Sequence, residues 1–377
     1  MFSKIDQFAP DADPTTPGIF TDVANLIPTA KGYKVAPAAY DPGVTVLPAA
    51  VLSSANVRKL DNSTRLLAGT TTKIYEISGT SWADRSSSTY NATTDAAWSF
   101  AQFGNVTLAS TKGDYIQYSS STAGFATISG APKASHIETV NQFVIAADTN
   151  DASFGDSPDR WWCCAVGDYT SWTPNTATQC VSGRLTSAPG RINAFKRLGD
   201  AVVAYNDRSM FIGSYVGAPE VWQFQEVPGR IGCLAKGGVA SIGAALHIFI
   251  GEDNFYMYDG SRPVPIGNPI KDWFYARLSI THANRIKSLV DLKNSCVFFF
   301  YPSTSGGGVL DSCVVYNYRQ NKWGVSDRTI EATVEYVASG LTFDGSYSST
   351  TTWATTALTW DSNLLNSGSS APAYFDT

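Results

Sequence analysis

A unit of two short apolar runs separated by polar turns recurs along the chain and limits the folds open to it. Clear copies are GNVTLASTKGDYIQYS at 104–119, GDAVVAYNDRSMFIGSY at 199–215 and GAALHIFIGEDNFYMYDG at 243–260. Weaker copies begin at positions 64, 141 and 294. Each run is too short for a helix and is rich in Val, Ile, Phe and Tyr, so each is typical of half a β-hairpin.

The spacing of these units predicts a β-propeller. Equivalent runs centre on Leu67, Val106, Val144, Val202, Leu246 and Val297, at intervals of 38 to 58 residues. Repeats of this length are typical of propeller blades, in which each sheet buries its faces against two neighbours. We therefore expect an all-β chain with six or seven blades over residues 51–344. Aromatic residues follow the hairpins, and Trp82, Trp222 and Trp323 are predicted to fill space between blades.

Three other segments depart from the repeat. Residues 1–50 contain seven prolines, which exclude a regular helix and favour an extended arm that either adds a strand to the ring or clasps a neighbouring subunit. The stretch 148–190 is predicted as a long loop between strands. Residues 345–377 are rich in Ser and Thr and are predicted as a last blade or as the start of a further domain.

A single short helix is predicted near 269–278. Asn268 is a suitable N-cap residue and Pro269 suits the first turn. The apolar residues of IKDWFYARL share one face at helical spacing.

Composition favours an assembled structural protein over a nucleic-acid binder. Charged residues make up only 16% of the chain, which suggests a surface covered by partner subunits. The net charge of −5 argues against a protein that grips phosphate backbones. No segment has the length of a membrane-spanning helix, and the first residues lack an apolar signal core, so we expect a chain made in a cytosol.

The six cysteines are predicted to be reduced. They are Cys163, Cys164, Cys180, Cys233, Cys296 and Cys313, and they form no metal-binding spacing. Cys296 and Cys313 lie in apolar runs and are predicted as core thiols, with a disulfide across one hairpin as the alternative. The adjacent Cys163 and Cys164 have no functional explanation in the sequence. The three histidines His136, His247 and His282 are scattered, and only the fold could gather them into a metal site.

The search for catalytic motifs is negative. The sequence contains no nucleophile elbow, P-loop, zinc-binding helix motif or dinucleotide fingerprint. The glycine-rich SGGGV at 305–309 is predicted as a hairpin turn. The acidic segment 148–159 contains Asp148, Asp151, Asp156 and Asp159. It does not match the calcium-loop spacing, so a solvated turn is the preferred interpretation and a hard cation the alternative.

Two further sets of charged residues were weighed. Carboxylates at the mouth of a propeller could hydrolyse glycosides, and the candidates are Asp253, Asp259, Asp311 and Glu335. They occupy turn-like positions in which Asp is favoured for local reasons. The basic stretch Arg184, Arg191, Lys196 and Arg197 is predicted as a solvated face rather than a phosphate site. The sequence thus predicts no catalytic residue, no cofactor-binding residue and no metal ligand, and a protein that is not an enzyme.

Several motifs in order resemble one family. FAPDADPTTPGIFTDVANLIPTAKGY at 8–33, VGAPEVWQFQEVPGRIG at 216–232, GEDNFYMYDGSRPVPIG at 251–267 with its helix, and VVYNYRQNKWG at 314–324 are similar to tail proteins of short-tailed bacteriophages. The resemblance is to the tail hub or nozzle proteins and, more distantly, to the packaged-DNA stabilisation proteins. It spans most of residues 8–324 and rests on the order of the motifs.

The resemblance implies a structural head–tail connector protein without catalysis. Six copies would close a ring below the portal and its adaptor, form the DNA exit channel, retain packaged DNA and hold tail fibres or a tail tip. The protein would be assembled in the host cytoplasm and located in the virion tail, with DNA as non-specific passing cargo and no membrane contact. Two alternatives stay open: a glycan-binding or glycan-cleaving propeller of a phage or bacterium, and a monomeric propeller scaffold.

Overall fold

The computed structural model is built almost wholly of β-strands. It describes residues 6–36, 38–39, 41–120, 123–188, 190–337 and 370–376. Within them the helical segments are short: α1 (Lys271–Arg277) and 3-10 turns at Lys236–Gly238 and Ile280–Arg285. The all-β prediction and the helix near 269–278 are confirmed. No helix among the described residues is long and apolar enough to cross a membrane.

The strands follow the chain as an arm and a series of four-stranded units. The arm holds β1 (Gln7–Phe8), β2 (Ile19–Phe20), β3 (Leu26–Thr29) and β4 (Gly32–Val35). The next units are β5 (Ser53–Arg58), β6 (Thr64–Gly69), β7 (Ile74–Ser78), β8 (Ser81–Asp84), then β9 (Ser99–Phe103), β10 (Val106–Thr111), β11 (Asp114–Ser120), β12 (Ala126–Thr127), then β13 (Lys133–Val140), β14 (Phe143–Asp151), β15 (Gly155–Cys163) and β16 (Ser182–Arg184).

The second half of the chain continues this order. Its strands are β17 (Ala194–Leu198), β18 (Ala201–Tyr205), β19 (Met210–Gly217), β20 (Val221–Glu226), then β21 (Val239–Ile242), β22 (Leu246–Ile250), β23 (Phe255–Tyr258), β24 (Val264–Pro265), then β25 (Lys287–Asp291), β26 (Cys296–Pro302), β27 (Leu310–Asn317), β28 (Lys322–Ser326), and finally β29 (Ala332–Val337) and β30 (Ser370–Phe375).

Each unit is an antiparallel up-and-down sheet, which is the architecture of a propeller blade. The sheets formed by the described residues do not correspond one to one with the six or seven predicted blades. The units β9–β12 and β13–β16 share one sheet through a bridge between Tyr115 and Lys133. The arm strands extend the sheet of β25–β28, and β29 pairs with β30 alone.

The residues chosen as repeat centres all occupy the second strand of a unit. Leu67 lies in β6, Val106 in β10, Val144 in β14, Val202 in β18, Leu246 in β22 and Val297 in β26. The second strand of a unit has a neighbouring strand on each side, and adjacent blades cover both of its faces. Its sequence is therefore the most continuously apolar part of each unit, and the repeat was visible for this reason.

The first strands of the units form the inner wall of the ring. The strands β5, β9, β13, β17, β21, β25 and β29 pack against one another in this order, and β29 also packs against β5. Side-chain hydroxyl groups join the last members. Ser54 Oγ donates to Thr333 O at 2.8 Å, Thr333 Oγ1 to Ser288 O at 3.0 Å, and Ser288 Oγ to Val239 O at 3.2 Å. Hydroxyl side chains on the inner strands thus connect β29 to β5, the first strand of the ring, and to β25.

The substitution Thr333→Val tests this closure. Valine keeps the shape of threonine but cannot donate to Ser288 O, and one such bond contributes about 1 kcal/mol. We expect the free energy of unfolding to fall by about this amount in urea titrations. Thr64→Val, at an exposed position of β6, is the matched control and should change stability by less than about 0.5 kcal/mol.

The arm docks on the body of the same chain. Strand β3 pairs with β28 through Leu26 and Val325, so the arm adds strands to an outer edge. Phe8 is fully buried. Asp11 accepts hydrogen bonds from the main-chain N–H groups of Asp272 (2.7 Å) and Trp273 (2.8 Å), and it thereby satisfies free donors at the start of α1. Of the two roles predicted for the arm, closing the ring with an added strand is shown only in part: the arm strands lie on the outer edge of one sheet, and the ring is closed by β29 against β5.

The prediction of a long loop over 148–190 is wrong in part. Residues 143–163 form the hairpin of β14 and β15, which are nine residues each. The loop is confined mainly to 164–181. A positive φ of 54° at Asp148 and a shift of register beside it bend the hairpin, and this bulge obscured the alternation of the sequence. Residues 345–377 were predicted as a last blade or the start of a further domain. The structure describes 370–376 of this segment, and Ser370–Phe375 form β30.

The three tryptophans lie on the fourth strands of their units. Trp222 and Trp323 are buried (4% and 0% exposed), as their packing role requires. Trp82 is only partly buried, and its Nε1 donates to Thr45 O at 2.9 Å. Its ring contacts Phe375 of β30. The inter-blade packing role therefore fits the first two better than the third.

Candidate functional site: the ring centre and the arm–helix junction

One lysine crosses the centre of the ring. Lys236 lies in the 3-10 turn that leads into β21, and its Nζ donates to Ala97 O at 2.7 Å and to Ser135 O. These carbonyls belong to the approach to β9 and to β13, and neither strand is adjacent to β21 in the ring. The side chain therefore passes across the middle of the ring to reach them.

A second lysine makes a similar connection. Lys287, at the start of β25, donates from Nζ to Leu52 O, just before β5, at 2.9 Å. Burial, and secondarily the nearby charges of Lys287 and Lys196, hold the pKa of Lys236 well below its ordinary value. Burial lowers the pKa of Lys287 to about 8. Lys196 is partnered by Glu138 at 3.3 Å, and burial raises the pKa of that carboxyl.

This arrangement fastens blades together and leaves little free chemistry. The ammonium groups of both lysines donate to main-chain carbonyls, so neither lysine is placed to activate a nucleophile. A substrate anion that bound either lysine would have to displace its hydrogen bonds to the carbonyls. In the described residues, no group of three or more His, Cys, Asp or Glu side chains is placed to hold a metal ion. We interpret the centre as a structural lock.

The three histidines lie apart and serve separate packing roles. His136 Nε2 donates to Ile192 O at 3.0 Å, while burial and the charge of Lys236 keep its pKa well below 6.5. His247 is fully buried; its Nε2 donates to Arg197 O at 2.8 Å, so its Nδ1 accepts from Tyr205 Oη at 2.9 Å. His282 contacts Ser279 within a 3-10 turn. They do not form a metal site.

His247 predicts a pH dependence of stability. Burial lowers the pKa of His247 from 6.5 to about 4, so between these values the unfolded chain binds a proton that the folded chain does not. The contribution of His247 to stability is therefore full above pH 6.5 and decreases as the pH falls towards 4, by at most about 3 kcal/mol. The buried His136 adds a decrease of the same sign. Urea titrations at several pH values measure this. His247→Gln keeps an N–H group for Arg197 O and should flatten the dependence, and an unchanged slope would contradict the assignment.

The acidic segment 148–159 does not form a cation site. Asp148 is buried and accepts bonds from Lys112, Ser135 and Arg191. Asp156 pairs with Lys112, and Asp159 pairs with Arg184. Asp151 accepts from main-chain N–H groups of its own turn and from Trp162. Each carboxylate has a donor partner within the protein. The predicted solvated turn was wrong for Asp148, which is 1% exposed within β14, and the four carboxylates serve as hydrogen-bond and ion-pair partners in β14 and β15 rather than as cation ligands.

Ion pairs also neutralise the basic stretch, and two of them are those with Asp148 and Asp159. Arg184 binds Asp159 at 2.8 Å, Arg191 binds Asp148 at 2.9 Å, and Lys196 binds Glu138. Arg197 donates to Gly199 O at 2.7 Å and lies 4.0 Å from Asp200. Its members therefore form several separate ion pairs rather than a phosphate-binding patch.

The four candidate carboxylates for glycoside hydrolysis are not brought together. Asp253 and Asp259 lie at opposite ends of β23, where they accept from Tyr256 Oη and from Ser261. Asp311 accepts from Ser303 at the start of β27. Glu335 is exposed on β29. The segment 305–309 is a turn with positive φ at Gly307 and Gly308 and leads directly into β27, as expected for a hairpin.

All six cysteines are free and buried. Cys296 is paired in register with Asn317 and Cys313 with Phe300, so the two thiols do not face each other across the hairpin. Burial raises the pKa of Cys163 and Cys164 to about 12. Thiols in such surroundings are inert, and the prediction of reduced core thiols is confirmed. Cys163 ends β15 and Cys164 follows it directly. Both pack as small apolar side chains in hydrophobic clusters.

Three of the four resemblance segments, 8–33, 251–267 with its helix, and 314–324, meet at a single junction. Phe8 N donates to Tyr33 Oη at 2.9 Å, and Tyr33 Oη donates to Trp323 O at 2.9 Å. Trp323 Nε1 donates to Ile266 O at 3.2 Å. Phe255 packs on Trp323 with ring centroids 4.7 Å apart and on Phe274 of α1 at 4.8 Å. We call this set the arm–helix junction, and it lies in one hydrophobic cluster.

Sequence reasoning missed the ring-centre lysines because Lys236 and Lys287 stand in unremarkable local sequence, AKGG and RIKS. Their partners are carbonyls more than 100 residues away in sequence, and a carbonyl carries no sequence signal. Asp11 lies 260 residues before α1 in the sequence, so its bonds to the helix start could not be inferred from local spacing either.

Comparison with known proteins gives only distant structural likenesses. No protein-family model matches the sequence, and no curated protein matches it. Similar solved structures include YCF48 bound to a D1 peptide (13% identity, 81% of this chain and 88% of that chain, TM-score 0.44). Others are the computationally designed Ika8 protein (10%, 79% and 93%, 0.42) and PorZ of the Porphyromonas gingivalis type-IX secretion system (8%, 77% and 34%, 0.44). With TM-scores below 0.5, these likenesses carry no argument for this chain.

Proposed function

We propose that this chain is a structural virion protein of a short-tailed bacteriophage. It would be a ring-forming tail hub or nozzle subunit below the portal–adaptor complex, in which the copies enclose the DNA exit path and retain packaged DNA. The observation that carries the proposal is the arm–helix junction. Three of the four resemblance segments, distant in sequence, contact one another there through Phe8, Tyr33, Phe255 and Trp323.

The ring-centre lysines restrict where DNA would pass. A duplex could not cross a propeller centre that is spanned by Lys236 and its bonds to Ala97 O and Ser135 O. The exit path would therefore lie on the axis of the ring of copies, outside each propeller. A mildly acidic chain with a net charge of −5 suits such a conduit, because each Lys or Arg contact with phosphate adds affinity and slows passage.

We also infer seven radial units in the propeller. Six are the four-stranded units from β5–β8 to β25–β28, and the seventh begins with β29. Support comes from the packing of β29 against both β25 and β5 and from the hydroxyl bonds through Thr333. End-on electron-microscopy class averages at high resolution should show seven spokes, and six spokes would contradict the inference.

The glycan alternative has less support. It requires carboxylates gathered at one mouth of the ring, whereas Asp253 and Asp259 lie at opposite ends of one strand. A non-catalytic assembly role accounts better for side chains that fasten blades and the arm.

The test uses phage particles that carry the gene. Peptide mass spectrometry of purified virions should detect the chain at about the copy number of a six-fold ring, and antibody labelling should mark the tail. An amber mutation in the gene should give filled heads that lose their DNA, with infectivity restored by the gene in trans. Virions without the chain, or normal infectivity of the amber mutant, would overturn the proposal and favour the glycan alternative.

A further inference from the structure

Five cations without ion-pair partners gather on one side of the sheet β25–β28. They are Lys31, Lys34, Lys293, Arg319 and Lys322. They lie in or beside the β3–β4, β25–β26 and β27–β28 turns, and all are at least partly exposed. No ion pair of the described residues involves any of them. We call this set the basic face.

The basic face is compact. Lys34 Nζ donates to Asn294 Oδ1 at 3.3 Å, and this bond joins the arm hairpin to the turn that carries Lys293. A groove of about 360 Å³ lies between the turns and is lined by Lys293, Arg319 and polar side chains that include Asn294 and Gln320. Val35 and Leu292, each next to a lysine of the face, are 71% and 53% exposed. Exposed apolar side chains with a polar rim are the usual anatomy of a contact surface.

This face is exceptional in an acidic protein. Removing its five members from 27 Lys and Arg leaves 22 against 32 Asp and Glu, a formal balance of −10 for the rest of the chain. The rest of a second copy therefore carries a net negative charge, which attracts the basic face at long range. Complementary charge orients and selects partners, although each exposed ion pair adds only about 0–1 kcal/mol.

A complementary surface lies on the loop 164–181 and the β19–β20 turn. Val166, Tyr215 and Val216 are 40%, 41% and 47% exposed, and Asp168 and Glu220 beside them are exposed carboxylates. Tyr215 Oη donates to Gln179 Oε1 at 2.7 Å and so holds the loop against the turn. Bonds from Thr170 lower the pKa of Asp168 and keep it ionised. We call this set the acidic face.

We propose that the basic face of one copy binds the acidic face of the next copy, head to tail. Val35 and Leu292 would pack against the apolar residues of the acidic face, and Lys293 and Arg319 would pair with Asp168 and Glu220. A contact between two different faces generates a closed ring when the rotation closes. The inference rests on the proposed function, since it names the contact that closes the ring, and both faces lie in one chain, as such a contact requires.

The experiment uses charge reversal in the full-length chain. One variant carries Lys293→Glu with Arg319→Glu, and a second carries Asp168→Lys with Glu220→Lys. Sedimentation velocity should show an oligomer for the wild-type chain that weakens as salt screens the charges. Each variant alone should be monomeric, because the two members of every proposed ion pair then carry the same sign. An equimolar mixture should assemble again, because the pairs between the two variants join opposite signs.

The control is Arg58→Glu with Arg230→Glu, which reverses two exposed charges outside both faces and should assemble as the wild-type chain does. Circular dichroism and unfolding titrations verify that all variants fold. If either reversed variant assembled like the wild-type chain, or if the mixture stayed monomeric, the assigned contact would be wrong and the virion role would still stand. A wild-type chain that is monomeric at high concentration and low salt would also overturn the contact.

Discussion

Trp323→Ala is expected to lower the free energy of unfolding by about 3–5 kcal/mol. The Trp323 side chain is 0% exposed. Its ring packs against Tyr316 at 4.5 Å and Phe255 at 4.7 Å between centroids. Its Nε1 donates to Ile266 O, and this acceptor would lose its partner. The substitution thus removes a large apolar side chain and opens a cavity between the arm, the helix and two blades.

Urea titration of the purified chain measures this effect. Trp82→Ala is the matched control, since Trp82 occupies the same strand position of another unit but is only partly buried. We expect a clearly smaller loss for the control. Similar losses for both variants would mean that burial does not determine the loss of unfolding free energy. Near-normal stability of Trp323→Ala together with loss of binding to a glycan would favour the glycan alternative.

Much of the fold was predictable because local patterns carry it. The apolar runs around Leu67, Val202 and Val297 lie in second strands, where both faces are buried and alternation disappears. The helix near 269–278 was predicted from its apolar face, and α1 forms there. These features depend on residues within one turn or one strand, so a single sequence suffices to infer them. The predicted cap was wrong: Ile270 occupies the N-cap position, Asn268 accepts a hydrogen bond from Asn254 instead, and Asp11 of the arm accepts from the N–H groups of the first turn.

The rest depends on contacts between distant residues. The ring is closed by a bond from Ser54 to Thr333, which are 279 residues apart, and by a bond from Thr333 to Ser288, which are 45 residues apart; both acceptors are main-chain carbonyls. The docking of β3 on β28 likewise depends on where the ring places an edge. Repeat spacing predicts that blades exist, but it does not predict which edge the arm covers or how the last unit is completed.

The candidate site was predictable only in its parts. The resemblance named four segments but predicted no contact between them, whereas the structure places residues of 8–33, 251–278 and 314–324 in one hydrophobic cluster. The charged residues were harder to interpret. Asp148 and Arg191 each suggested a ligand site when considered alone, but they neutralise each other at 2.9 Å. Pairing across 43 residues is set by the bulge of β14 and cannot be inferred from the sequence.

A buried ion pair joins the first two blades. Arg65 and Glu76 are 2% and 4% exposed. Two bonds connect them, from Arg65 Nε to Oε1 at 2.8 Å and from Nη2 to Oε2 at 3.0 Å. Arg65 Nη1 also donates to Thr107 Oγ1 and Ser119 Oγ on strands β10 and β11 of the next unit. The guanidinium therefore ties β6 and β7 to the neighbouring blade.

Glu76→Ala is expected to cost about 3–5 kcal/mol of folding free energy, because it leaves the Arg65 charge buried without its counter-ion. The double variant Arg65→Met with Glu76→Met removes both charges and keeps apolar volume, so it should be more stable than Glu76→Ala. Arg85, which also binds Glu76 at 2.8 Å, is 26% exposed at its side chain and can be solvated after the loss. Urea titrations of the two variants and the wild-type chain decide the matter. A double variant less stable than Glu76→Ala would mean that the pair contributes through its geometry and its bonds to Thr107 and Ser119, rather than through relief of a buried charge.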